Sequence, residues 1–343
     1  MKKNLRNIFA LCLTLALVFA LAACGQKADE PDEQDEQQTE QEEFTPASFS
    51  IAALKGPTAM GLVKLMRDSE SGETSGNDYP FPLAGSADEV TPALIKGELD
   101  MACVPANLAA VLYNKTEGEI EVLAVNTLGV LYIVENGESV QSIKDLAGKT
   151  VVAAGKGSTP EYALRYLLKA NGLDGDNAPQ IRWCADTTEA LSYISNDANA
   201  VAMLPQPFVT AAQSKISDLR VALSLDELWK EANDGASMAT GVLVVRSEFA
   251  EKYPQQLEKF MQEYAASVKF VNENTEQAAQ LVGAYEIVKA PIAQKALPYC
   301  NICCITGAEL KTVLDGYLSA LYDMNPQSVG GKLPDAGIYY EAK

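Results

Sequence analysis

From about residue 48 onward, apolar runs of four to six residues alternate with longer stretches in which apolar side chains recur at helical spacing. That alternation predicts βα units and a mostly parallel sheet. Residues 48–54 predict the first strand, which runs through Lys55-Gly56-Pro57-Thr58 into a helix with Met60, Val63 and Met66 on one face. Pro57 suits the first turn of such a helix. A second unit of the same form begins at residues 150–154, passes through Lys156-Gly157-Ser158-Thr159-Pro160 and enters a helix bearing Tyr162, Leu164, Leu167 and Leu168.

The units echo one another at near-constant distance. Lys55 precedes Lys156 by 101 residues, and Ala87-Asp88-Glu89 precedes Thr187-Thr188-Glu189 by 100. Asp100-Met101-Ala102-Cys103-Val104-Pro105-Ala106-Asn107 likewise precedes Ala200-Val201-Ala202-Met203-Leu204-Pro205-Gln206-Pro207 by 100. Three aligned points predict an internal repeat and hence two α/β lobes. Residues 48–135 with 238–343 are expected to form lobe one and residues 136–237 lobe two, with apolar strands at 129–134 and 240–245 crossing between them as a hinge. Long helices over 254–274, 276–285 and 307–322 are expected to complete lobe one.

Ligands of open α/β sheets gather outside the carboxyl ends of the strands, beside the following helix N-termini. The corresponding candidates are Lys55, Gly56, Pro57, Thr58, Gly85, Ser86, Asn107, Gly157, Ser158, Thr159 and Gln206. Gly56 and Gly157 permit close backbone approach, and the hydroxyl and amide side chains add hydrogen bonds to the unpaired N–H groups of the helix ends. Thr58, Ser86, Ser158 and Thr159 can equally cap their own helices. Lys55 and Lys156 favour an anion, whereas Asp88, Glu89 and Glu161 in the first helical turns oppose one. Tyr79, Tyr132, Tyr162, Trp183 and Phe208 could stack on a flat ring or belong to the core. A small polar molecule, such as an aromatic heterocycle, fits this mixture better than a bare inorganic anion.

Composition narrows the chemistry. The 343 residues include no histidine, which removes imidazole bases and the usual zinc sites. A formal charge of −19 argues against nucleic acid as a partner. Lys2, Lys3 and Arg6 precede an apolar run over 8–23 that is shorter than a permanent membrane span, so residues 1–23 read as a signal peptide. Nine acids between residues 26 and 46 make 24–47 an acidic, self-repelling tether. Cys103, Cys184, Cys300, Cys303 and Cys304 are an odd set for an exported disulfide framework and read as packing residues, with no metal assigned.

Leu21-Ala22-Ala23-Cys24-Gly25 resembles a bacterial lipobox, which implies lipidation of Cys24 and anchoring on the extracytoplasmic face of the cell membrane. Together with Lys55-Gly56-Pro57-Thr58, Lys96-Gly97-Glu98-Leu99-Asp100, Ser142-Ile143-Lys144-Asp145-Leu146-Ala147-Gly148-Lys149 and Met203-Leu204-Pro205-Gln206-Pro207, it resembles the solute-binding lipoproteins of bacterial ABC importers. The similarity is to the nitrate, sulfonate and taurine type, which includes receptors for thiamine-pyrimidine precursors. The resemblance implies a two-lobe periplasmic-binding-protein-like fold of type II. It also implies closure of a monomer around one small-molecule solute without a cofactor, and delivery to an ABC permease and its ATPase. The alternatives are a sensor lipoprotein on the same scaffold, or an enzyme related to thiamine-pyrimidine synthases, faintly suggested by Cys300, Cys303 and Cys304 but lacking the histidines those enzymes use.

Overall fold

The computed structural model describes residues 44–74, 76–197 and 199–342. The expected signal peptide, Cys24 and the expected tether up to residue 43 lie outside the described residues. The folded body begins at Phe44 rather than 48. Residues 44–47 are held to it because the Asn77 side chain accepts from the Ala47 amide and Gln256 donates to the Thr45 carbonyl.

The chain opens with β1 (Ile51–Leu54), α1 (Pro57–Met60) and α2 (Val63–Glu70), followed by β2 (Leu83–Ala84), α3 (Ala87–Lys96), β3 (Met101–Pro105), α4 (Ala106–Lys115) and β4 (Ile120–Thr127). It then crosses to β5 (Leu131–Asn136), β6 (Thr150–Ala153), α5 (Thr159–Ala170), β7 (Gln180–Trp183), α6 (Thr187–Asn196), β8 (Val201–Pro205), α7 (Phe208–Gln213), β9 (Leu219–Ser224) and α8 (Leu225–Ala232). It returns through β10 (Gly241–Arg246), α9 (Ser247–Lys252), α10 (Pro254–Glu273), α11 (Thr275–Ala284), α12 (Ala290–Ala296), β11 (Ile302–Ile305) and α13 (Gly307–Met324). The first sheet has the order β11-β4-β10-β3-β1-β2 and the second β7-β6-β8-β5-β9.

The repeat is visible in strand register. Ile51, Ala52 and Ala53 pair in parallel with Met101, Ala102 and Cys103, and Val151, Val152 and Ala153 with Val201, Ala202 and Met203. The same slot beside β3 and β8 is filled by an antiparallel strand in each sheet, β10 opposite Pro105 and β5 opposite Pro205. Each crossing thus delivers the strand that completes the other lobe. This moves one boundary of the sequence reading: β5 pairs with β8 and β9, so residues 131–135 belong to the second sheet and the first crossing is residues 128–130. An apolar strand buried on both faces has no alternation that reveals its sheet.

Both crossings are laced together by Asp226. Its carboxylate accepts from the Met238 amide at 3.1 Å in the second crossing and pairs with Lys230 at 2.7 Å. A Cβ on Gly129 in the first crossing would fall 2.4 Å from the Asp226 Cβ. Asn301 donates to the Gly129 carbonyl on the opposite side. Gly129→Ala is therefore expected to cost about 1 to 3 kcal/mol through overpacking, read as a lower urea midpoint with an unchanged slope.

Candidate functional site in the interlobe cleft

β3 and β8 end in Pro105 and Pro205, and β1 and β6 run through the glycine turns at Gly56 and Gly155–Gly157 into α1 and α5. Gly56 (φ 151°) and Gly157 (φ 77°) hold backbone conformations that other residues avoid. A Cβ on either would meet nothing within 4 Å, so open space lies beside both turns. Pro57 begins α1, and Thr58 Oγ1 donates to the Leu54 carbonyl at 3.1 Å while its methyl sits 2.7 Å from where a Gly241 Cβ would be.

Across the junction, Thr159 Oγ1 donates to Asn107 Oδ1 at 2.9 Å, with both residues buried. Asn107 Nδ2 donates in turn to the Ser328 carbonyl at 3.2 Å. These two expected site residues from opposite lobes are brought into direct contact. Beside them Trp229 of α8 packs against Tyr317 of α13 with ring centroids 5.3 Å apart, and Tyr166 of α5 lies 4.5 Å beyond. Tyr132 donates to the Tyr299 carbonyl at 3.2 Å, a second bridge between the lobes. The lobes are thus in contact through a buried hydrogen bond, an aromatic pair and the Tyr132–Tyr299 bridge.

Other candidates are placed differently. Ser158 Oγ donates to the Gly155 carbonyl at 2.8 Å, and the Gly157 amide donates to Glu161 at 2.7 Å. Burial alone would raise the Glu161 carboxyl, but the Gly157 amide and Arg165 outweigh it and hold it below its ordinary range. Glu161 therefore occupies, as a carboxylate, an amide expected to face a ligand. Gly85 and Ser86 are exposed, and Ser86 Oγ donates to Glu89 at 3.1 Å. Lys55 is exposed and borders a groove of about 430 Å³ with Glu70 and Tyr285. Gln206 is buried, accepts from Thr210 Oγ1 at 2.9 Å and lines a polar groove of about 1050 Å³ with Tyr132 and Asp226 of the second lobe and Tyr299 and Asn301 of the first.

Of the aromatic candidates, Tyr79 is core, packed edge-on to Phe49 and Phe260. Tyr162, Trp183 and Phe208 are half-buried against apolar clusters. Cys300 and Cys303 are pushed up to about 12 and Cys304 to about 11, chiefly by burial, so all three are neutral thiols packed in or against the first lobe. Sequence reasoning did not single out Asn126, one residue before the end of β4, Thr240, just before β10, or Tyr317. All three carry buried polar atoms. A polar Asn-Thr pair closing the apolar run Ile120–Thr127 was the available signal.

Among the described residues, no helix is long and apolar enough to cross a membrane. No curated protein matches the sequence. The fold is shared with an ABC transporter protein from Parabacteroides distasonis, at 23% identity and a TM-score of 0.72 over 86% of this chain and 99% of that one. It is also shared with the periplasmic aliphatic sulphonate binding protein SsuA from Escherichia coli, at 16% identity and a TM-score of 0.69 over 87% and 94%. The alkanesulfonate-binding SsuA from Xanthomonas axonopodis pv. citri, bound to MOPS, aligns at 13% identity and a TM-score of 0.62 over 85% and 96%. Residues 73–292 match the family model of phosphonate periplasmic substrate-binding proteins of ABC transporters. With that match over most of the described length, this chain belongs to that family of extracytoplasmic solute receptors, which serve an ABC permease and its ATPase.

Proposed function

We propose that the protein captures a small organic molecule with an oxyanion head of the sulfonate or phosphonate type, enclosing it where Gly56 and Thr58 of one lobe meet Gly157 and Thr159 of the other. The observation that carries the reading is the Asn107–Thr159 hydrogen bond, which joins the lobes at the strand ends where such folds bind ligands. In this reading Pro57, Asn107 and Ser158 belong to the same turns and helix starts, while Lys55, Gly85 and Ser86 are exposed and Gln206 lines the polar groove beside Tyr132. Binding drives closure because the ligand touches both lobes only in the closed state. The receptor acts as a monomer without a cofactor. It is tethered to the membrane through a lipid on Cys24 and presents its cargo to the permease. It is a carrier and not an enzyme, a reading supported by the absence of histidine and by thiols held protonated.

Trp229 reports on closure, since it touches the opposite lobe through Tyr317. In a Trp183→Phe background, organic sulfonates and phosphonates at about 100 times Kd should shift Trp229 emission and stabilise the fold by about 2.7 kcal/mol. Neither class altering emission or melting temperature at millimolar concentration would overturn this reading.

A further inference from the structure

The polar groove of about 1050 Å³ is walled by both lobes, with Tyr132, Gln206, Asp226 and Glu227 on one side and Pro298, Tyr299 and Asn301 on the other. It lies apart from the turns at Gly56 and Gly157. Its first-lobe wall directly precedes β11, four strands from β1 in the order β11-β4-β10-β3-β1, and its second-lobe wall runs along β9, three strands from β6 in the order β6-β8-β5-β9. At about 4.8 Å per strand, those walls stand roughly 19 and 14 Å from the strands that lead into the two turns. Gln206, which follows β8, marks the inner end of the groove.

Gln206 is only 4% exposed. Its Oε1 accepts from the Thr210 amide at 3.4 Å and from Thr210 Oγ1 at 2.9 Å. A backbone N–H can only donate, so the oxygen is the atom turned toward Thr210 and Nε2 points away from it. That nitrogen has no hydrogen-bond partner among the described residues, and it is not among the polar atoms sealed inside the protein. A donor held this rigidly and left unpaired on a groove wall is satisfied by an acceptor that enters the groove.

Charge and aromatic surface are the second observation. Buried Asp226 is paired with Lys230, but Glu227 beside it and Glu231 one turn further along α8 have no ion-pair partner among the described residues. Lys144 lines the groove from the segment after Asn136, which pairs with Leu219 at the end of β9 away from Tyr132. Burial pushes the Tyr132 phenol up to about 12, and Cys300, Asp226, Glu227 and Tyr299 add to the rise, so negative groups gather around it. Tyr299 is 56% exposed, the most exposed large apolar side chain among the described residues. An open phenol ring backed by carboxylates attracts an organic cation through the negative face of its π-system.

We propose that this end of the groove is a second ligand site, distinct from the strand-end cleft, which takes a small quaternary ammonium compound bearing an oxygen acceptor. The cationic group sits against Tyr299 and Tyr132 with Glu227 as its counter-charge, and the oxygen accepts from Gln206 Nε2. An anion such as the proposed cargo is repelled there by Glu227 and Glu231. Because each lobe supplies one wall, a ligand that touches both favours the present juxtaposition of the lobes.

The test is calorimetric titration of the full folded receptor at low ionic strength with choline, with tetramethylammonium, which lacks the oxygen, and with neohexyl alcohol, the uncharged carbon isostere of choline. Choline is expected to bind saturably and at least about threefold tighter than either comparison compound. Glu227→Gln and Tyr299→Ala, both at exposed positions and expected to melt as wild type does, should each weaken choline about threefold or more. Gln206→Leu should erase the advantage of choline over tetramethylammonium, and equimolar ethanesulfonate should not displace choline. No saturable binding of choline at about 10 mM overturns the proposal, whatever sulfonates and phosphonates do at the other cleft. Neohexyl alcohol binding as tightly as choline overturns the charge assignment. Wild-type affinity in both Glu227→Gln and Tyr299→Ala, or competitive displacement of choline by ethanesulfonate, overturns the placement of the site.

Discussion

Trp229→Ala is expected to cost about 3 to 5 kcal/mol of stability and to open the lobes. The indole is 1% exposed and sits between Tyr166 of its own lobe and Tyr317 of the other, so truncation leaves a cavity where aromatic packing joins α8 to α13. Small-angle scattering should show a larger radius of gyration, and solute affinity should fall, because closure then has to be driven by the ligand alone. Trp229→Phe, which keeps a ring in the slot, should recover most of both effects. An alanine variant with wild-type urea midpoint and wild-type radius would show that this contact does not hold the clamp.

Removing Arg220 should have the next largest effect. Glu135 is 2% exposed at the end of β5 and pairs with Arg220 from the neighbouring strand, while Ser139 Oγ at 2.7 Å and the Val140 amide at 2.9 Å complete its shell. Burial alone would push this carboxyl up, yet the Ser139, Val140 and Arg220 bonds together hold it below its ordinary range. Arg220→Ala leaves a buried charge short of its counterion, at a cost of about 3 kcal/mol near pH 7. A carboxyl whose folded pKa is depressed contributes stability above its unfolded value, near pH 4, and loses it as pH falls through the folded value. The gap between wild type and Arg220→Ala should therefore narrow as acid is added below about pH 4. Urea titrations at neutral and acid pH would show this, and a gap independent of pH would rule out the ion pair as the cause.

Much of the architecture was legible because strands and helices here carry different periods. Expected strands near 150–154 and 240–245 appear as Thr150–Ala153 and Gly241–Arg246, and the long helices appear as Pro254–Glu273, Thr275–Ala284 and Gly307–Met324. The spacing of 100 residues held to the level of strand register. Short or half-exposed elements left weaker traces: β9, with Val221 exposed, reads as neither a buried run nor a clean alternation. The site was less legible than the fold. Turn glycines announce themselves through conformation, and both Gly56 and Gly157 adopt backbone angles that only glycine holds easily. Whether Ser86 or Asn107 faces a neighbour depends on packing between segments far apart in sequence, and Asn107 meets Thr159 only because the starts of α4 and α5 are brought together.

The central place of β10 in the first sheet has a consequence for biogenesis. As a nascent chain emerges from its N-terminus, β1, β3 and β4 are available early, but β3 and β4 are not neighbours; the gap between them stays open until residues 241–246 arrive. The second lobe lies wholly within that interval, so the inserted half can acquire its order first and the flanking half must wait. A chain interrupted before residue 241 would expose two unpaired strand edges, the surface on which aggregation and chaperone capture act.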